Sequence, residues 1–243
     1  MKKSLSMSTE ESVQKKCFFH DSIESRLAQV ILGRNIFTDA DWMNYYNVKL
    51  TKSQIFEARK FPWNEDILNS PCPFNLGKKV KDTHFAFLGI SNINSQPLTV
   101  AKWLELHPAT GQPKFYFNTN PWHMGQPHTD VATMQLRWYL MLKGIVPNST
   151  KKTPEEQALM LPKNYEIPTT IEEVSKNIIF FRKTGERLNE LKWAACERIV
   201  MKIGKISAGC ISCVGHFDKD GLGIIYCDGN HSDHIGIGAS RKF

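Results

Sequence analysis

The sequence has no apolar run long enough to cross a bilayer, so no membrane span is expected. Met1-Lys2-Lys3 is followed by polar Ser, Thr and Glu rather than the apolar core of a secretion signal. Cytoplasmic synthesis is therefore expected, with the final location (cytoplasm, particle or surface) left open. Six cysteines in 243 residues make no dense disulfide framework, and reduced thiols are expected. A P-loop, a Rossmann glycine pattern, His-Glu-x-x-His and Gly-x-Ser-x-Gly are all missing, which removes the commonest nucleotide, zincin and hydrolase chemistries. Lys and Arg exceed Asp and Glu by 31 to 24, a net charge of +7. They occur only in short pairs such as Lys78-Lys79 and Lys151-Lys152, with no basic block, so the charge reads as a solvated surface and no specific nucleic-acid partner is expected.

A more local absence is the most informative. Lys, Glu, Gln, Met and Trp are common through most of the chain, yet across residues 206–240 they vanish, with the single exception of Lys219. Gly, Ser, Ile, His, Asp and Cys replace them, as in Gly-Cys-Ile-Ser-Cys and Gly-Ile-Ile-Tyr-Cys-Asp-Gly-Asn-His-Ser-Asp-His-Ile-Gly. The five missing types share codons that end in a purine. An Asn codon whose first two bases are scrambled, with its third-position pyrimidine kept, encodes the types present and none of the five. The tail reads as a segment in which the adenines of Asn codons were randomised.

Along the rest of the chain, residues 1–15 are polar and charged. Residues 20–33 carry Ile23, Leu27, Val30 and Ile31 at helical spacing. Asp39-Ala-Asp-Trp42 opens a second short helix, and Thr51 caps a third. Pro62, Pro71 and Pro73 mark a boundary near residues 60–75. The run from His84 predicts a buried strand, residues 98–106 a helix, and residues 112–126 a strand leading into a long loop. Residues 133–142 carry a bulky core stripe of undecided type. Thr153-Pro-Glu-Glu starts a helix that stops at Pro162. Thr169 or Thr170 caps the next, whose Ile171, Val174, Ile178 and Phe181 share one face and which Gly185 ends. Beyond Trp193 come short alternating runs over 198–203, 210–217, 222–227 and 235–241, as in an antiparallel meander. Helices followed by strands, without βα alternation, predict an α+β fold.

The compositional signature of residues 206–243 resembles the variable region of diversity-generating retroelement variable proteins, with Asp-Gly-Leu and Ile-Gly-Ile-Gly-Ala-Ser-Arg-Lys-Phe as fixed framework. In that family a reverse transcriptase copies a template with adenine-specific errors into the 3′ end of the gene. The resemblance implies a C-type-lectin-like fold: two helices packed on a small twisted antiparallel sheet, with a terminal strand returning to the core. Residues 1–75 would form a polar, helical N-terminal extension and residues 76–243 the lectin-like domain, with the variable region at about 206–235. It further implies a non-enzymatic display protein that binds a protein or cell-surface ligand, with no cofactor.

Alternating strand geometry and exposed turns select the expected contacts as Ser207, Cys210, Ser212, His216, Gly223, Ile225, Tyr226, Cys227, Asn230, His231, Ser232 and His234. Phe217, Leu222, Ile235, Ile237 and Phe243 are read as framework. The alternative is a zinc-dependent or zinc-stabilised module using Cys210, Cys213, Cys227 and a tail histidine. Against it, Cys210-Ile-Ser-Cys213 has the character of a strand, where the two thiols point to opposite faces. Calcium-dependent sugar binding is not expected: Gln126-Pro-His128 lacks the required acidic or amide ligand, and the tail's Asp residues have no calcium-loop spacing.

Overall fold

Capping residues set most of the helices. The computed structural model describes residues 23–116, 123–203, 206–227 and 232–243. Its first part forms β1 (Ile23–Glu24), α1 (Ser25–Leu32), β2 (Ile36–Phe37), α2 (Asp39–Tyr46), α3 (Lys52–Ala58), β3 (Lys60–Phe61) and α4 (Glu65–Asn69). Thr51 caps α3 as expected, its hydroxyl accepting from the Gln54 amide at 3.3 Å while its own amide donates to Gln54 Oε1 at 2.8 Å. In α2 the cap is Thr38 rather than Asp39, because Asp41 reaches back to the Thr38 amide at 2.8 Å. The buried face of α1 also differs from expectation: Leu27 and Val30 are exposed, while Ala28 and Leu32 are buried.

Next come α5 (Val80–Thr83), β4 (His84–Leu88), β5 (Asn92–Ile93), β6 (Gln96–Pro97), α6 (Val100–Leu106), α7 (Pro127–Asp130) and β7 (Trp138–Leu142). The undecided stripe is thus a strand, and all five of its residues are buried. After α8 (Pro154–Leu159) and β8 (Tyr165–Glu166) comes the long α9 (Thr170–Thr184), capped by Thr169 and ended by Gly185 in the left-handed conformation (φ 75°) that a side chain would disfavour.

The last segments are β9 (Trp193–Ile203), β10 (Ile206–Asp218), β11 (Gly221–Cys227), β12 (Ile235–Ile237) and β13 (Ser240–Arg241). The protein is α+β, with two larger sheets. One has the order β2-β4-β7-β13-β8 and the other β11-β10-β9-β12, while β1 with β3 and β5 with β6 form two-stranded ribbons. The expected antiparallel meander holds for β9, β10 and β11. It fails at β12, which returns to the far edge of β9 and pairs parallel to it. The expected single run over 235–241 is split, β12 joining one sheet and β13 the other.

Helix α9 packs against strands of both larger sheets. Its single expected apolar face is therefore only part of what it buries: residues 170–180 are all buried. Three of them are charged, and two of these pair with each other, Lys176 Nζ lying 2.6 Å from Glu173 Oε1 and donating to the Leu142 carbonyl at 2.9 Å. A buried charge is tolerable only with such partners. Residues on both sides of position 75 share the main core: Phe37, Trp42 and Trp63 lie in one cluster with Phe85, Val214, Phe217 and Leu222.

Candidate functional site

The β9–β10–β11 ladder puts alternate tail residues on opposite faces. On the face toward α9, Ser212 is fully buried and its hydroxyl lies 2.5 Å from Thr170 Oγ1. Val214 and Leu222 join the main core on this side. On the opposite face Ala195, Ile211 and Cys213 form a small cluster with Trp193, Ile225, Cys227 and Ile235 packed around it. A cleft of about 700 Å³ opens over that second face. Its floor is apolar, made by Trp193, Ile225 and Ile235, and its rim carries His123, His216, Asp218, Asp220, Ser232 and His234.

Local backbone geometry explains how the rim is held. His216 has a positive φ of 47°, and its ring stacks on Trp193 with centroids 5.6 Å apart. Asp218 accepts the Asp220 amide at 2.7 Å in the turn before β11. The segment 232–235 is fixed through its main chain. The Ser232 carbonyl accepts from the Lys151 amide at 2.9 Å and the Asp233 carbonyl from Lys192 Nζ at 2.8 Å. The His234 carbonyl accepts from the Trp193 amide at 2.8 Å, and that of Ile235 from Gln157 Nε2 at 3.2 Å. Four successive carbonyls are thus held by residues outside the tail. None of these bonds depends on which side chain the tail residue carries. Burial, and the neighbouring His128, lower the pKa of His123 to about 4, so this rim imidazole is neutral at pH 7.

The expected contacts divide. His216, Ile225, Ser232 and His234 line the cleft, and Gly223 does so as a bare backbone position. Tyr226 is exposed on the edge strand β11, and Cys227 is half-buried beside it. Cys210 and Ser212 are instead buried, so they are not surface contacts. Ser212 faces α9 because alternation, read without knowledge of what covers the sheet, does not say which face is solvent. Ser207 pairs with Lys202 in the ladder, but its side chain lies outside the described residues, as do Asn230 and His231. Of the expected framework, Phe217, Leu222 and Ile237 are buried, while Ile235 reaches the cleft. Phe243 is 66% exposed and stacks on Trp63.

Among the described residues the alternative metal set is not assembled. Cys213 Sγ lies 3.5 Å from Cys227 Sγ, but Cys210 packs with Ile199 in a separate cluster. Among the described residues no group of three or more His, Cys, Asp or Glu side chains is placed to hold a metal ion. The Cys227 thiol beside it, together with burial, pushes Cys213 far above the usual thiol range. Sequence reasoning missed Trp193 as the floor and Tyr116, Asp218 and Asp220 as part of the wall. Trp193 stood where the pattern changes to short strands, the one signal that could have found it. No family model matches the chain, and no curated protein or solved structure is significantly similar to it.

Proposed function

We propose that this protein displays a ligand-binding face diversified by a retroelement, on a scaffold of C-type-lectin type, and that it is not an enzyme. The carrying observation is a coincidence of two independent patterns. The stretch that lacks purine-ending codon types also supplies His216, Ile225, Ser232, His234 and Ile235 to one open cleft. The cleft floor includes Trp193, a residue no pyrimidine-ending codon can encode and therefore a constant one. Above it, Ile225 offers apolar contact area and His and Ser side chains offer adaptable hydrogen bonds, the division of labour found in evolved binding surfaces, while Tyr226 is exposed on the other face of the edge strand. The main-chain anchoring of residues 232–235 suits such a role, since four of the bonds that hold the loop are independent of its side chains, although the Ser232 hydroxyl also accepts from the His234 amide at 3.1 Å. The fixed C-terminal segment suits it too: the Leu142 amide donates to the Ala239 carbonyl at 2.9 Å, and Trp63 Nε1 donates to the Lys242 carbonyl at 3.0 Å.

The ligand is a protein or cell-surface molecule that presents an apolar group to the Trp193 floor. On this reading the diversified contacts among the described residues are His216, Ile225, Tyr226, Cys227, Ser232 and His234, with Ser212 and Gly223 constant. The gene provides the test. The six positions should carry pyrimidine-ending codons, with an Asn-rich near-copy of this segment and a reverse transcriptase gene close by. Only Ile225 and Ser232 have purine-ending synonyms, and such a codon at either, or surrounding DNA without a template repeat, would overturn the reading.

A further inference from the structure

A second cavity, of about 640 Å³, opens between the C-terminal end of α2 and residues 106–113. It shares no lining residue with the cleft over β9–β11. Arg182, near the C-terminal end of α9, lays its guanidinium over two tyrosine rings of its wall, 5.3 Å from the centroid of Tyr45 and 5.9 Å from that of Tyr46. The adjacent cation, Lys183, is already paired with Asp41 at 2.8 Å. Arg182 has no such pairing among the described residues, where its Nε finds no hydrogen-bond acceptor. None of the residues lining the cavity is acidic.

The other titratable groups do not alter that charge. Tyr46 Oη and His107 Nε2 are 3.0 Å apart, and the imidazole stacks on Trp103. Burial, assisted by the Arg182 charge, lowers the pKa of His107 to about 4, so its ring is neutral at pH 7. Burial raises that of Tyr46, which keeps its proton. The cavity therefore combines one unneutralised planar cation with tyrosine and proline walls. A guanidinium stacked on aromatic faces is weakly hydrated and already ordered, and its edge presents paired donors that match a carboxylate or phosphate.

We propose that this cavity binds a small organic oxyanion, a carboxylate or phosphate group on an apolar body, anchored by Arg182. The proposal is independent of the display reading, because no tail residue takes part. Titration calorimetry of the full chain at constant ionic strength, with benzoate, phenyl phosphate and inorganic phosphate, tests it. Saturable binding of at least one aryl anion is expected, with the tighter of the two identifying the head group, and inorganic phosphate should bind at least tenfold more weakly. Arg182→Met should weaken the aryl anion tenfold or more. Because that change also uncovers two tyrosine faces, Thr110→Trp at the exposed rim provides a second arm, obstructing the cavity with Arg182 intact. Absence of saturable binding by both aryl anions, inorganic phosphate binding as tightly as they do, or full affinity in either folded variant would overturn the proposal.

Discussion

Gly223 lies against the indole of Trp193 so closely that a Cβ at this position would fall 2.4 Å from Trp193 Cη2. The glycine is there because the ring occupies the space a side chain would need. This contact fixes the cleft floor, since Trp193 and Gly223 sit on neighbouring parts of one sheet face with Gly215 paired between them. Gly223→Ala should therefore force the indole to move and destabilise the fold by about 1–3 kcal/mol, as overpacking generally does. Urea unfolding followed by tryptophan fluorescence reads both effects. An unchanged midpoint would mean that the ring shifts freely and the floor is not preformed.

Ser212 and Thr170 give a second prediction. Their hydroxyls are 2.5 Å apart in a fully buried contact between β10 and α9. Ser212→Ala leaves the Thr170 hydroxyl without this partner, at a cost of about 1–3 kcal/mol. Pairing it with Thr170→Val should recover part of the loss, because removing both polar groups leaves neither unsatisfied. Additive losses in the double variant would show that the two hydroxyls are not coupled.

That pair also shows where sequence reading reached its limit. The caps at Thr51 and Thr153 were legible, and that of α9 to within one residue, Thr169 or Thr170, because a cap joins a hydroxyl to an amide three residues away. The strands from Trp193 onward and the α+β class were legible for the same reason: period and turn residues are local properties. Which face of β10 meets α9 was not, because alternation is symmetric until a partner covers one side. The parallel return of β12 to β9 left no local trace either. The tail's composition pointed to residues 206–235 as a unit, but only packing separates Ser212, turned inward, from His234, turned outward.

Acid should weaken the fold through three histidines. His84 is fully buried, with Nδ1 3.2 Å from the Val80 carbonyl and Nε2 3.0 Å from the Tyr165 hydroxyl. Burial lowers its pKa from 6.5 to about 3, and His107 and His123 are each lowered to about 4. Between these values and 6.5 the unfolded chain binds protons that the folded chain refuses. Stability therefore falls as pH drops below 6.5, by up to about 1.4 kcal/mol per pH unit for each such proton. Urea midpoints measured across mildly acidic pH should show the decline, and His84→Gln should flatten it by one proton. A flat profile in the parent protein would mean that these rings are protonated in the fold.

The last prediction separates a display surface from a packed or catalytic one. His216, Tyr226 and His234 are exposed and Ser232 is half-exposed, while the backbone around them is held by the sheet ladder and by donors outside the tail. Surface substitutions away from buried features usually change stability by less than about 0.5 kcal/mol. Replacing Tyr226, Ser232 and His234 together with other residues of pyrimidine-ending codons should leave the thermal midpoint nearly unchanged. His216 should join them only as Asn, which tolerates its positive φ of 47°. Leu222→Ala or Ile237→Ala, at positions 0% and 1% exposed, should instead open a core cavity and cost about 2–5 kcal/mol. The contrast follows from what display requires: a scaffold whose stability does not depend on the residues being exchanged. A thermal melt of the four-residue variant decides the matter, since its collapse would make the tail part of the core and remove the physical basis for a diversified face.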